Sequence, residues 1–149
     1  MAGRPCLIVD ADVATRVFGP GNDPDFGPVL DQLLAKKSRV SLAYGGLNRV
    51  QLERVAEARR VIAKLDSAGR ALKSKDELVN GEAQVVTLKA HVSDDPHVIA
   101  LARISGARLL CTLDQDLMQD FKNLALVPAP RGSVYSKKSH VHLFRRHCS

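Results

Sequence analysis

Short apolar runs, each closed by polar or turn-forming residues, alternate along this chain with stretches of helical spacing. "CLIVD" at 6–10 is a continuous apolar run ending in an acid, which predicts a strand buried on both faces. Residues 11–18 predict a short helix, stopped by the turn-forming "GPGNDP" at 19–24. A helix is expected from Asp25 to Lys37, with Val29, Leu30, Leu33 and Leu34 on one face. "RVSLAY" at 39–44 reads as a second strand, closed by Gly45-Gly46. A long helix is then expected from about Leu47 to Asp66. Its stripe is Leu47, Val50, Ala58, Val61, Ile62 and Leu65, interrupted by Gln51 and Arg54, and Gly69 ends it. Residues 70–93 are mixed and polar. A helix from Asp94 to Ser105 is stopped by Gly106, and "RLLCT" at 108–112 forms a third strand. A short helix over 116–122 and strands in "ALVPA" (125–129) and "SVY" (133–135) complete the pattern.

Strands alternating with helices predict a three-layer α/β/α domain with a mostly parallel sheet of four to five strands. A chain of 149 residues is expected to form one domain, here 1–136, followed by a basic C-terminal tail at 137–149. Its apolar runs are too short to span a bilayer, and a charge at Asp10 argues against a leader peptide. Cys6, Cys111 and Cys148 are odd in number and lack ligand spacing. Cys6 and Cys111 read as small buried residues, and a reducing cytoplasm is the expected compartment.

Charge is unevenly placed. Residues 121–149 carry six Lys or Arg and no acid, so this segment holds the whole net charge of +6. A basic segment suggests a polyanionic partner, and Lys137, Lys138, Arg145 and Arg146 are the candidate contacts to an RNA backbone.

The acids are grouped against this background. In a parallel sheet, ligands bind beyond the carboxyl ends of the strands. Asp10 directly follows one apolar run and Asp114 follows another after two residues, so both are expected at that edge. Asp95 shares a helix face with Val98, Ile99 and Ala102 and so points inward at the helix start. Asp116 can cap the helix carrying Leu117 and Phe121, Asp12 can cap the first helix, and Asp120 is expected on a solvated face. Convergent carboxylates repel, and no basic residue flanks Asp10, Asp114 or Asp116. Hard oxygen donors without His or Cys select Mg²⁺ or Mn²⁺, ions that stabilise charge in phosphodiester cleavage.

The strand ending in Asp10, together with "DDPHVIALARISGARLLCTLDQDL", resembles the PIN domain, the fold of many prokaryotic toxin ribonucleases. The resemblance is strongest at 5–18 and 93–121 and absent at 67–90. It implies a metal-dependent endoribonuclease acting on single-stranded RNA, with Asp10, Asp95 and Asp114 as catalytic acids. Asp116 joins them as metal ligands, and Thr112 is the strand-end hydroxyl that organises them. A cognate antitoxin protein and a homodimer are further implied partners. The family usually carries a glutamate, often followed by leucine, in the helix after the second strand. Gln51-Leu52 stands in that register here, with Glu53 two residues on. Two other readings use the same residues. "LIVDADV" resembles the opening motif of haloacid-dehalogenase-type phosphatases, with Asp10 as nucleophile and Asp12 as acid/base. A catalytically weak PIN-like module that binds RNA or protein is compatible with Gln51.

Overall fold

The computed structural model describes residues 4–19 and 23–149. The expectations for the chain start and for the 19–24 turn fall in part on residues 1–3 and 20–22, outside the described residues.

β1 (Leu7–Val9) leads through a 3-10 turn (Ala11–Val13) into α1 (Ala14–Phe18) and α2 (Gly27–Leu34). β2 (Leu42–Tyr44) is followed by α3 (Gly46–Leu52) and α4 (Ala56–Ser67), and β3 (Ala71–Lys73) by α5 (Asp76–Thr87) and α6 (Pro96–Ser105). β4 (Leu109–Cys111), α7 (Gln115–Phe121), β5 (Ser133–Tyr135), a 3-10 turn (Lys138–Val141) and α8 (His142–His147) complete the chain. The five strands form one sheet in the order β3-β2-β1-β4-β5, and every pairing is parallel.

Side chains alternate across a strand, so each strand feeds two cores. Leu7, Val9, Leu42, Tyr44, Leu109, Cys111 and Tyr135 face one core, closed by α1, α2, α4 and α8. Ile8, Ala43, Leu110 and Val134 face the other, closed by α5, α6 and α7. The three-layer α/β expectation therefore holds.

Four local expectations fail, each for an identifiable reason. The long helix over 47–66 is two helices, because the backbone turns extended at Val55. No Gly or Pro marks the break. Arg59 instead reaches back to donate to the Glu53 carbonyl, satisfying an acceptor that helix continuation would have used. Separate helices have separate inward faces: Gly46, Asn48 and Leu52 are buried in α3, while Val50 is exposed. The strand expected in "ALVPA" is a turn whose Leu126 and Val127 amides both return to Asn123. Its carbonyls are taken by arginines, Leu126 by Arg103 and Pro128 by Arg108. Pro128 offers no amide to a ladder in any case. On α2, Leu34 lies largely exposed rather than on the inward face.

The fourth correction concerns the cysteines. Cys6 is buried but not a free thiol: it is disulfide-bonded to Cys148, and Cys111 alone is free. The argument from unpaired cysteines for a reducing compartment thus falls away. The bond fastens the segment expected as a tail. Residues 138–147 are helical, with Leu143 and Phe144 in the first core. No helix among the described residues is long and apolar enough to cross a membrane.

The mixed segment 70–93 contains both β3 and α5. β3 is a sheet-edge strand with only Ala71 buried, so no apolar run announced it. The α5 spacing was readable: Val79, Ala83 and Val86 lie at i, i+4 and i+7, and all three are buried. The turn from β2 into α3 needs its diglycine. Gly45 has φ 154° and Gly46 φ 59°. A Cβ would lie 2.6 Å from the Ser74 carbonyl oxygen at Gly45, and 2.7 Å from Val79 Cγ1 at Gly46.

Candidate functional site

The sheet order reverses between β1 and β4, where α1 leaves on one side and α7 on the other. A crevice opens at such a switch point, outside the carboxyl ends of the two strands. Asp10 follows β1 there, and Thr112 to Asp114 follow β4.

Thr112 is the hub. It is fully buried, and its Oγ1 donates to Asp10 Oδ2 at 2.7 Å and accepts from the Asp114 amide at 3.1 Å. Asp12 Oδ1 and Oδ2 stand 3.5 and 3.4 Å from the same oxygen. A hydroxyl has one proton, and the shorter contact to Asp10 takes it. Asp12 Oδ2 accepts instead from the Leu113 amide at 3.3 Å. Asp12 therefore does not cap the first helix: it turns across to the end of β4 and joins the cluster.

Asp95 begins α6 at the N-cap position, where its side chain makes no capping bond of ordinary geometry, although the Val98 amide lies near enough to draw its carboxyl down. The charges of Asp114 and Asp12 act on it, so it stands at the same edge as those acids. The loop before it is held from below. Asp120, expected on a solvated face, is only 3% exposed. It accepts from the Val92 amide at 3.1 and 3.2 Å and from the Ser93 amide at 2.8 Å. Ser93 Oγ in turn accepts from the Asp95 amide at 2.9 Å. Asp120 is thus a positioning residue.

The capping role falls to Asp114 rather than Asp116: Asp114 Oδ1 accepts from the Leu117 amide at 3.1 Å. Asp116 is exposed in the first turn of α7, and no contact of the described residues ties it to the other acids. Gln51 is half-buried on α3. Glu53 pairs with Arg49 at 2.8 Å, and Arg49 pairs with Asp76 at 2.7 Å. The α3 residue that reaches β1 is Asn48, whose Nδ2 donates to the Val9 carbonyl at 3.0 Å. Its Oδ1 is buried without a partner. A stripe that runs through one unbroken helix passes over Asn48; the helix start at Gly46 is the signal that places it on the inward face.

Burial pushes the Asp10 carboxyl up to about 7, reinforced by hydrogen bonding to Asp12 and by the charges of Asp12 and Asp95. The Thr112 hydroxyl opposes this. Asp95 is raised by burial first; His97 and the Val98 amide pull it down, and the charges of Asp114 and Asp12 add to the rise. The ion pairs of the described residues all lie elsewhere.

Four carboxylates and one unpartnered amide oxygen are the donor chemistry of a hard divalent ion. Among the described residues, however, no three His, Cys, Asp or Glu side chains are grouped to hold an ion as they stand. The hydrogen bonds explain part of this: Asp114 is drawn back by Leu117 and Asp10 is engaged by Thr112. The donor types are those a hard divalent ion takes.

Of the contacts expected to reach RNA, Lys137 and Lys138 follow β5 and lie exposed towards the acidic edge, while Arg145 and Arg146 belong to α8.

Fold and site define a parallel, three-layer α/β protein with a group of acids at its topological switch point, of which Asp10 is buried, Asp95 half-buried and Asp12 and Asp114 exposed. Comparison with protein-family models, with curated proteins and with solved structures finds no match to this chain.

Proposed function

We propose that the protein is a metal-dependent phosphodiesterase of PIN-like type that cleaves single-stranded RNA at the carboxyl edge of its sheet. The observation that carries this reading is the meeting of Asp10, Asp12 and Asp114 around Thr112, with Asp95 opposite and no Lys or Arg paired to any of them. Mg²⁺ or Mn²⁺ would be held by Asp10, Asp95 and Asp114, with Asp12 beside them, and supplies the positive charge that lets phosphate approach four acids. The chain does the rest. Thr112 holds the Asp10 rotamer and the Asp114 backbone together. Asp120, through Ser93, sets where α6 presents Asp95. Asp10, raised towards neutrality in the metal-free protein, would give up its proton when it binds the ion, so metal binding should strengthen as pH rises towards 7.

The test is cleavage of a labelled single-stranded RNA in Mg²⁺ or Mn²⁺, with and without EDTA. Asp10→Asn and Asp95→Asn should each lower the rate at least about a hundredfold. Asn suits a helix start as well as Asp does, so Asp95→Asn should fold normally. The exposed Asp94→Asn is the control. Full activity of Asp95→Asn defeats the reading. Hydrolysis of a small phosphate monoester without RNA cleavage would favour the phosphatase reading instead. That alternative draws support from Asp12 lying beside Asp10.

A further inference from the structure

We infer that the opposite pole of the sheet is a second, separate site that binds the phosphate backbone of a single-stranded nucleic acid. A parallel sheet starts all its strands at one end, and here an arginine precedes every strand by one to three residues. Arg4 stands before β1, Arg39 before β2, Arg70 before β3, Arg108 before β4 and Arg131 before β5. Arg146 arrives from α8. All six line one cavity of about 840 Å³ that has no Asp or Glu side chain in its wall. Cys6 lies in that wall while Asp10 lies in the acidic site. The two sites are therefore roughly 13 Å apart along β1, four residues at about 3.3 Å each.

Two of the arginines have structural work. Arg70 donates to the carbonyls of Gln32, Ala35 and Val40, and Arg108 to those of Ala102, Ala107 and Pro128. None of these acceptors is charged, so the guanidinium charges are held in place without neutralisation. Burial pulls both groups down, as expected for cations short of a counter-charge. The other four use no guanidinium donor in any hydrogen bond or ion pair of the described residues. An adjoining cavity of about 630 Å³ shares Ser38, Arg39, Cys148 and Ser149 with the first and adds Lys37 and Arg145.

Phosphate is the fitting ligand, because the planar guanidinium fork matches its oxygens and no lysine lines the larger cavity. The two joined basins spread these donors over more room than one oxyanion fills, which favours a strand over a small polyphosphate. This site does not depend on the carboxylates being catalytic.

The experiment is anisotropy of a labelled single-stranded RNA, titrated with protein in EDTA so that binding is read without cleavage. The exposed residues Arg39, Arg131 and Arg146 are changed together to Gln. The equally charged change of Arg60, Lys64 and Lys89 to Gln on other faces is the control, and thermal melting verifies that both variants fold. The cavity variant should bind about tenfold more weakly and lose about 2 from its log–log salt slope, roughly 0.7 per phosphate contact. The control should bind as the parent does. Equal weakening in both triple variants would overturn the site, because the charge effect would then be diffuse. So would no RNA binding by the parent. Inorganic tripolyphosphate binding to the parent more tightly than RNA would also overturn it, since the ligand would be a small polyphosphate.

Discussion

Asp10 follows a strand, yet its behaviour is decided by what folds over it. Its carboxyl is raised to about 7 by burial and by neighbouring acids, while the same group in the unfolded chain titrates near 3.8. Between about pH 4 and pH 7 Asp10 therefore holds more proton in the folded protein than in the unfolded one, and its contribution to stability falls as pH rises through that window. Asp95, also raised, acts in the same direction. Asp23 and Asp76 are held low by Arg16 and Arg49, so they cost stability only as pH falls below about 4. His140 and His147, both held low by burial, act the opposite way as pH falls below about 6.5, so urea melts in EDTA read the Asp10 contribution as the difference between the parent and Asp10→Asn. The loss towards pH 8 should be at most about 4 kcal/mol, three pKa units' worth. Asp10→Asn should remove most of that slope and be the more stable protein at pH 8. An unchanged slope would mean that Asp10 is already ionised in the fold.

At the scale of elements, α6 is aimed by a side chain outside it. Asp120 on α7 gathers the Val92 and Ser93 amides, and Ser93 holds the amide of Asp95. Asp120→Ala leaves the buried Ser93 amide and the partly buried Val92 amide without their acceptor, a loss of about 3 kcal/mol. The denaturation midpoint should drop accordingly, and RNA cleavage should fall further than stability alone explains, because Asp95 loses its placement. Asp120→Asn keeps one acceptor oxygen and should recover part of both. If Asp120→Ala leaves the midpoint untouched, the loop is held by something else. The break between α3 and α4 works similarly. Arg59 supports it from a turn away, and it is what puts Asn48 rather than Val50 against β1.

For the whole molecule, one covalent bond joins residues 142 apart, nearly the full chain. In the chain-entropy account a loop of that size stabilises the fold by about 5 kcal/mol. Reduction, or Cys148→Ser, should therefore lower the melting temperature clearly and loosen α8, which carries Arg145 and Arg146. Thiol titration offers a direct count. The native protein should show no reactive thiol, the unfolded protein one, and the reduced unfolded protein three. Two or more thiols in the unfolded, unreduced protein would show that the bond is not formed.

The sequence by itself determined what local pattern can encode. Apolar runs marked β1, β2 and β4, and Gly106 with the spacing from Val98 to Ala102 marked α6. A strand followed by an acid put Asp10 and Asp114 at one edge, because parallel strands share their ends. What tertiary structure decided were the relations between distant segments. No local pattern announced β3, which pairs with β2 as a polar edge strand, or the buried Asp120, whose partners lie 27 and 28 residues away. None announced that Asp12 would cross to the end of β4, or that Cys6 would meet Cys148. Five arginines spread along the chain became one lining only when every strand entered the sheet from the same side. The physical reason is the same in each case. Burial, repulsion and pairing act through distances of a few Å, and for these residues only the folded chain sets those distances.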